Sequence, residues 1–489
     1  MNADVDNRPV YRGTDKLLLG IVLAVITFWL FAQTTLNITP AIRSDLGITE
    51  SLGNIAVSIT ALFSGIFIVV AGGLADRFGR LKLTYVGLAL SMLGSSLIAI
   101  SPSGTALFLI VGRIIQGLSA ACIMPATLAI IQAYYQGKDR QRALSFWSIG
   151  SWGGSGLCAL FGGFVASSFG WRWIFWASIL VAIVSFILLK GTPESAVASA
   201  GSERFDWMGF IAFLVAMVAL NIFIGQGSQL GWTSPAVIAL AVVFVVAAAG
   251  FFKVEIGNAD AFVDLTLFGN KMYTGATLSN FLLNGAAGTL LVALTLVQQQ
   301  AGLSSLESGL LTLGYLVAIL STIRVGEKLL QKWGARKPML LGCSITAIGI
   351  LLASFTFLLT RQYLAVAFLG FTLFGIGLGF YATPSTDAAL SNVPDEKAGA
   401  ASGIYKMASS LGAAFGVAIS ASIFTALSGS DTTLGSMSEL FLGRTDNINV
   451  RFAAAIALIF NVLMVVTAII AIAITIPKKE TISDISQFN

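Results

Sequence analysis

Histidine is missing altogether from the 489 residues. That absence excludes a histidine proton relay, a histidine-ligated metal and a Ser-His nucleophile pair. Cysteine is scarce: Cys122, Cys158 and Cys343 each sit within an apolar run, at spacings that suit neither a metal site nor a disulfide framework. They read as small core residues. Charge is scarce too, at 10% of residues, whereas a soluble domain carries about 25%. That is too little to coat a water-soluble body. Proline is thin at 10 residues and glycine abundant at 51, a balance that suits helices packed closely in lipid. Neither a catalytic constellation nor a metal site stands out, and no enzyme activity is expected.

What is present is apolar length. Hydrophobic residues make up 56% of the chain, and mean hydropathy is +0.88. Fourteen runs are long enough to cross a bilayer at about 20 residues per crossing. They span roughly 17–39, 54–73, 83–101, 105–127, 143–166, 172–189, 207–225, 235–252, 272–297, 307–327, 338–359, 364–390, 399–425 and 451–476. The runs are too long for strands and lack alternation of period two. The first is also longer than a cleavable signal core, and its flank mixes acids and bases (Asp4, Asp6, Arg8, Arg12, Asp15, Lys16). With the N-terminus inside, the cytoplasmic segments hold 20 Lys and Arg and the outside loops five: Arg43, Arg172, Arg361, Arg444 and Arg451. This bias predicts two cytoplasmic termini. The net charge of +5 follows from that topology and points to no nucleic-acid partner.

The chain also repeats itself. Gly73-Leu-Ala-Asp-Arg-Phe-Gly-Arg-Leu-Lys82 follows the second run, and Glu327-Lys-Leu-Leu-Gln-Lys-Trp-Gly-Ala-Arg-Lys337 follows the tenth; Gly79 and Gly334 stand 255 residues apart. Met124-Pro-Ala-Thr127 in the fourth run and Thr383-Pro-Ser-Thr386 in the twelfth stand 259 apart. Two matches at nearly one offset imply duplication. The predicted organisation is an N-terminal six-helix half at 1–189, a linker with two inserted helices at 190–271, a C-terminal six-helix half at 272–476 and a tail at 477–489. Such repeats place a substrate site between the halves near mid-bilayer.

Gly72-Gly-Leu-Ala-Asp-Arg-Phe-Gly-Arg80 resembles the cytoplasmic loop signature of the major facilitator superfamily, although Leu81 stands where a second basic residue is usual and Lys82 follows. Leu109-Ile-Val-Gly-Arg-Ile-Ile-Gln-Gly-Leu-Ser-Ala-Ala121 is similar to its fourth-helix signature. Fourteen spans point to the drug:proton antiporter branch. Phe28-Trp-Leu-Phe-Ala-Gln33, Trp147-Ser-Ile-Gly-Ser-Trp-Gly-Gly154 and Tyr381-Ala-Thr-Pro-Ser-Thr-Asp387 resemble the Nor-type quinolone and multidrug efflux pumps of Gram-positive bacteria. The resemblance covers about residues 12 to 476. It implies an all-α polytopic major facilitator fold of 6 + 2 + 6 helices with pseudo-twofold halves. It also implies alternating access by rocking of the halves, with Asp76, Arg77, Gly79 and Arg80 as the cytoplasmic gate. Asp76 lies near a helix end, where it can pair with Arg77, Arg80 or a neighbouring helix N-terminus; the bland alternative is a charged turn that only sets topology.

Ionisable residues inside the spans each need a reason, because a charge at a helix centre costs about 2.5–3.5 kcal/mol on insertion scales. Arg113 is expected to face the central cavity, as the fourth-helix motif does in the family. The first-helix acid of many relatives is absent from Phe31-Ala-Gln-Thr-Thr-Leu-Asn37. Arg113 is therefore left to Gln33, Asn37 or Gln116, to a substrate anion, or to a purely structural role. Lys406 stands where related cation pumps carry acids. Two buried cations suit a zwitterion or anion better than a quaternary ammonium dication, unless Lys406 pairs with Asp387. For proton coupling Asp387 is the first choice and Glu327 the second, although Arg324 three residues before Glu327 favours an ion pair there. The fifth span keeps Gly162-Gly163 but has Cys158-Ala159 in place of the family's Gly-Pro, which weakens the case for antiport over facilitated transport.

The substrate-binding candidates are Arg113, Gln33, Gln116, Trp29, Asn280, Asn284, Tyr405 and Lys406, with Trp152 beside them; ordinary helix packing is the competing reading of each. The expected protein is a monomeric proton-coupled multidrug exporter of the bacterial plasma membrane. It would need no cofactor, take energy from the proton gradient and act on quinolones first. The alternative is a transporter of a small physiological solute, an anion or peptide, with incidental drug export.

Overall fold

The computed structural model describes residues 11–195, 206–256, 258, 263, 265–301, 310–428, 441 and 447–478. The first half comprises α1 (Asp15–Ile26), α2 (Thr35–Leu46), α3 (Glu50–Phe78) and α4 (Arg80–Ala99). It continues with α5 (Leu107–Tyr134), α6 (Gly137–Ser148), α7 (Gly154–Ser168) and α8 (Arg172–Leu189). The insert is α9 (Trp207–Leu230) and α10 (Pro235–Glu255). The second half comprises α11 (Lys271–Gly285), α12 (Gly288–Ala301), α13 (Leu313–Trp333) and α14 (Arg336–Ala353). It ends with α15 (Thr360–Leu390), α16 (Ala398–Ser428) and α17 (Ile448–Thr475). No strand occurs among the described residues.

Among the described residues, thirteen helical segments are long and apolar enough to cross a membrane. The tenth expected span is the one that does not qualify. Its helix α13 has 21 residues, about 30 Å at 1.5 Å each, which is enough to cross. Arg324, Glu327, Lys328 and Lys332 crowd its second half and remove the apolar window. Residues 302–309, which include the start of that span at 307–309, most of the loop at 426–450, the linker at 196–205 and the tail from 479 lie outside the described residues. Large apolar side chains such as Leu180, Val245 and Ile474 are more than 60% exposed, the inverse of a soluble surface and what a lipid-facing wall requires.

Local signals set the helix ends. The Thr14 hydroxyl accepts from Leu17 N–H, Asp206 accepts from Gly209 N–H, and Ser234 caps α10 with Pro235 in the first turn. The duplication is visible in three dimensions. Gly79 (φ 118°) and Gly334 (φ 75°) end α3 and α13 in the left-handed region, where a side chain would be strained. The helix that follows each pairs with the next through glycines. A Cβ on Gly94 would lie 2.8 Å from the Gly112 carbonyl, and one on Gly349 would lie 2.6 Å from that of Gly370. Pro125 and Pro384 are internal to α5 and α15.

The halves meet along α3 and α16, where a Cβ on Gly72 would sit 2.4 Å from the Gly399 carbonyl. This contact lies towards the face that carries Arg77, Arg80, Arg140, Arg142 and Arg336, called here the basic face. Hydrogen bonds between the halves cluster there. Gln132 donates to Val393 O at 3.0 Å, and Arg80 donates to the Asp395 carbonyl.

Candidate functional site

Two π turns open the site. Thr27–Ala32 interrupts the first span and Ile149–Gly153 the fifth. A π turn inserts an extra residue and often marks a functional site. The turns place Trp29 and Trp152 towards the gap between the halves. Gly154 lets them nest, since a Cβ there would lie 3.1 Å from Trp29 Cβ.

That gap is a cavity of about 220 Å³, lined from the first half by Trp29, Ser151, Trp152 and Ser155. Asn280, Asn284, Tyr315, Tyr381, Tyr405, Lys406 and apolar neighbours line it from the second half. Its polar wall is ordered. Tyr381 and Ser279 hydroxyls lie 2.7 Å apart, Tyr405 OH lies 2.9 Å from Ser385 Oγ, and Asn280 Nδ2 donates to Tyr405 O at 3.0 Å. Asn284 Nδ2 donates to Asn280 Oδ1 at 2.8 Å.

Among the described residues that line the cavity, Lys406 alone is charged. It does not pair with Asp387. Its ammonium lies 4.2 Å from the Trp147 ring centroid and 5.6 Å from that of Tyr405. Among the described residues it has no carboxylate and no hydrogen-bond acceptor. Trp147, 1% exposed, is fixed by donating Nε1–H to Thr127 Oγ1 at 3.0 Å.

Arg113 does not face the cavity, and neither Gln33 nor Gln116 lines it. The guanidinium is consumed by the first half's own backbone. It donates to Ala56 O at 2.9 Å, to Ala32 O at 2.6 Å and to Gln116 Oε1 at 2.9 Å. Ala32 ends the first π turn, so the buried cation staples that turn to α3 and α5. Gln116 in turn donates to Ser95 Oγ at 3.2 Å, and Gln33 is half-buried beside the turn. In an Arg113→Leu variant two buried carbonyls lose their donors, at about 1–3 kcal/mol each. Lower thermal stability with unchanged ligand affinity of the folded fraction is the expected result; retained stability with lost affinity would restore a direct role.

The proton-coupling candidates also lie outside the cavity wall. Asp387 reaches across the halves, accepting from Arg140 Nη2 at 3.3 Å and from Gln141 Nε2 at 3.4 Å. Glu327 forms an ion pair with Arg324 and accepts from Gln331 at 3.2 Å, and the Arg324 guanidinium lies 4.7 Å over the Phe146 ring. At the gate, Asp76 accepts from Arg80 Nη2 at 3.0 Å and Nε at 3.1 Å. It also caps α16 of the other half, accepting from Gly399 N–H and Ala400 N–H at 2.9 Å each. One carboxylate thus serves a buried arginine and a helix N-terminus at once.

Arg324 for Glu327, Gln116 for Arg113, and Arg80 with a helix N-terminus for Asp76 are among the partners read from the sequence; the partners of Asp387 and Lys406 are not. Arg140, Gln141 and Trp147 belong to the fifth span's entry helix, and only the polar start of α6 hinted at an interface. Glu194 was also missed. It accepts from Leu81 N–H and Lys82 N–H at 2.9 Å each, clasping the linker to the start of α4.

The Major Facilitator Superfamily model matches residues 17–417 and 276–487. Quinolone resistance protein NorB of Staphylococcus aureus strain MRSA252 is 50% identical over 473 residues, covering 97% of this chain and 98% of the relative. The strain COL protein of the same name matches to the same extent. Among solved structures, the proton:xylose symporter XylE bound to 6-bromo-6-deoxy-D-glucose superposes with TM-score 0.63 at 18% identity, over 95% of this chain and 96% of the other. The human organic anion transporter MFSD10 gives TM-score 0.61 at 14% identity, over 94% and 98%. Two glycine-ended repeats, a cavity between halves that latch at one face, and near full-length matches in sequence and fold agree: this multi-pass membrane chain belongs to the Major Facilitator Superfamily.

Proposed function

We propose that the chain is a proton-coupled exporter of amphipathic drugs, quinolones first among them, working by alternating access in a bacterial plasma membrane. The observation that carries this reading is the 50% identity over 97% of the chain to a quinolone resistance protein. The excess of Lys and Arg on the basic face supports cytoplasmic termini. The latched basic face supports a cavity that opens to the opposite side. Lining by aromatic rings with a few oriented polar groups suits amphipathic ligands. The chain acts as a monomer, without a cofactor, and draws on the proton gradient.

Proteoliposomes with an imposed pH gradient test this directly. Uphill movement of a fluoroquinolone coupled to proton flux is expected, and inertness to every drug would overturn it. The second reading, a carrier of a small physiological anion or peptide, is favoured by the cavity volume of about 220 Å³, below the ~300–1,000 Å³ of drug-sized sites. Asp387 is the proposed proton carrier, with Glu327 second, because its carboxylate holds Arg140 across the halves and protonation would release that hold. Asp387→Asn should abolish pH-driven exchange while leaving ligand binding intact. Coupling that survives this substitution assigns the proton elsewhere.

A further inference from the structure

We infer that Lys406, seated on Trp147 and Tyr405, is the carboxylate-recognition point of the cavity, so that the preferred substrates carry a free carboxylate. The inference rests on the proposed function and names the chemistry of its ligand.

The cavity wall contains one cation and no acid among its described lining residues. A bare ammonium in such a place is held there at a cost unless a counter-charge arrives. The described residues supply none: the ring centroids beside it, at 4.2 and 5.6 Å, belong to Trp147 and Tyr405. Ring faces attract a cation but leave its N–H donors free to bond an anion. Lys406 is 8% exposed, and it lines the cavity, so those donors serve a ligand there. Arg113, also buried, is held by two backbone carbonyls and Gln116 and does not line the cavity, so it drops out as a competitor. Around the ammonium, Asn280, Asn284 and Tyr405 complete a polar wall that can orient the rest of the ligand.

The seat also crosses the molecular divide. Trp147 belongs to α6 of the first half and Lys406 to α16 of the second. Trp147 is locked to Thr127 by its indole N–H, so the ring position is set by the first half alone. A carboxylate bound to Lys406 shares the ammonium with that ring. Recognition is thereby exercised at a contact between the two rocking bodies, and Trp147 is a positioning residue for it.

The test compares a fluoroquinolone with its carboxylate methyl ester, which keeps the ring system and amine. Binding to the purified full-length chain in nanodiscs and uptake in proteoliposomes are both read. Wild type should prefer the acid by about tenfold to a hundredfold, the range of one charge-assisted hydrogen-bonded pair. Lys406→Gln should bring the acid-to-ester ratio close to one, and Lys406→Arg should keep most of it. Trp147→Phe should retain the ratio and Trp147→Leu should lower it, which loss of folding alone would not do. A wild type that treats acid and ester alike, or a Lys406→Gln variant that still prefers the acid, overturns the assignment. Should Lys406→Gln fail to fold, the wild-type and Lys406→Arg ratios decide. The two readings fail differently. Equal transport of both ligands sinks the carboxylate assignment alone, whereas transport of neither sinks the proposed function and the assignment with it.

Discussion

Asp76→Ala is expected to cut transport by more than about a hundredfold and to leave the basic face open. Asp76 accepts four hydrogen bonds, two from Arg80 and two from the start of α16. Arg80 is only 1% exposed. Alanine leaves this guanidinium with carbonyl partners alone and strips the cap from the opposite half. Breaking a buried ion pair from one side costs about 3–5 kcal/mol, and loss of a helix cap costs about 0.5–2 kcal/mol. Only the part made between the halves biases the conformational equilibrium. A bias of ~3 kcal/mol is still more than a hundredfold in population. Distances between spin labels on the basic ends of α3 and α16 should lengthen, and efflux should fall in parallel. Asp76→Asn, which keeps one acceptor oxygen, should be intermediate. A variant that moves drug at the wild-type rate would reduce this carboxylate to a topological marker.

Gly72→Val should be as severe for a steric reason. A Cβ at Gly72 would lie 2.4 Å from the Gly399 carbonyl, and backbone on both sides leaves nothing flexible to yield. The helices must separate, so the basic face cannot close and the carrier stalls in one orientation. The neighbouring glycine provides the control: a Cβ on Gly73 meets nothing within 4 Å. Gly73→Val should transport normally, whereas Gly72→Val should bind ligand, remain folded and fail to turn over. Equal behaviour of the two would mean that close approach of α3 and α16 is not required in the cycle.

The spans were legible because lipid imposes a length and a polarity on every crossing. The duplication was legible because helix-ending glycines and internal prolines cannot drift far without breaking their structural roles. The tenth span was legible in length, yet its charges place it at the margin of a crossing helix. Less could be read about which way a charge points. Arg113 lies in a run of apolar residues on nearly all sides, so composition does not say whether it faces the cavity or α3. Its acceptors are carbonyls, which every residue has. The π turn that presents Ala32 leaves no mark in Thr27–Ala32 either, because turn width depends on tertiary contacts with Gly154 and α5. Asp387 and Lys406 share the middle of the second half, which made their pairing plausible in sequence. The fold instead gives Asp387 to Arg140, 247 residues away, and Lys406 to an aromatic seat.

That seat bears on the kinetics of the whole cycle. A carrier must pass through an occluded form twice per turnover, once loaded and once empty. Loaded with a carboxylate, the occluded cavity holds a neutral pair. Empty, it encloses an unpaired ammonium, and two ring faces worth about 2 kcal/mol when desolvated do not offset several kcal/mol of lost hydration. On the carboxylate assignment proposed above, the unladen return would be the slow leg, and a second anion on the far side would shorten it. On that assignment, a site with one positive charge and no negative one among its described lining residues would favour exchange, whichever gradient the carrier spends.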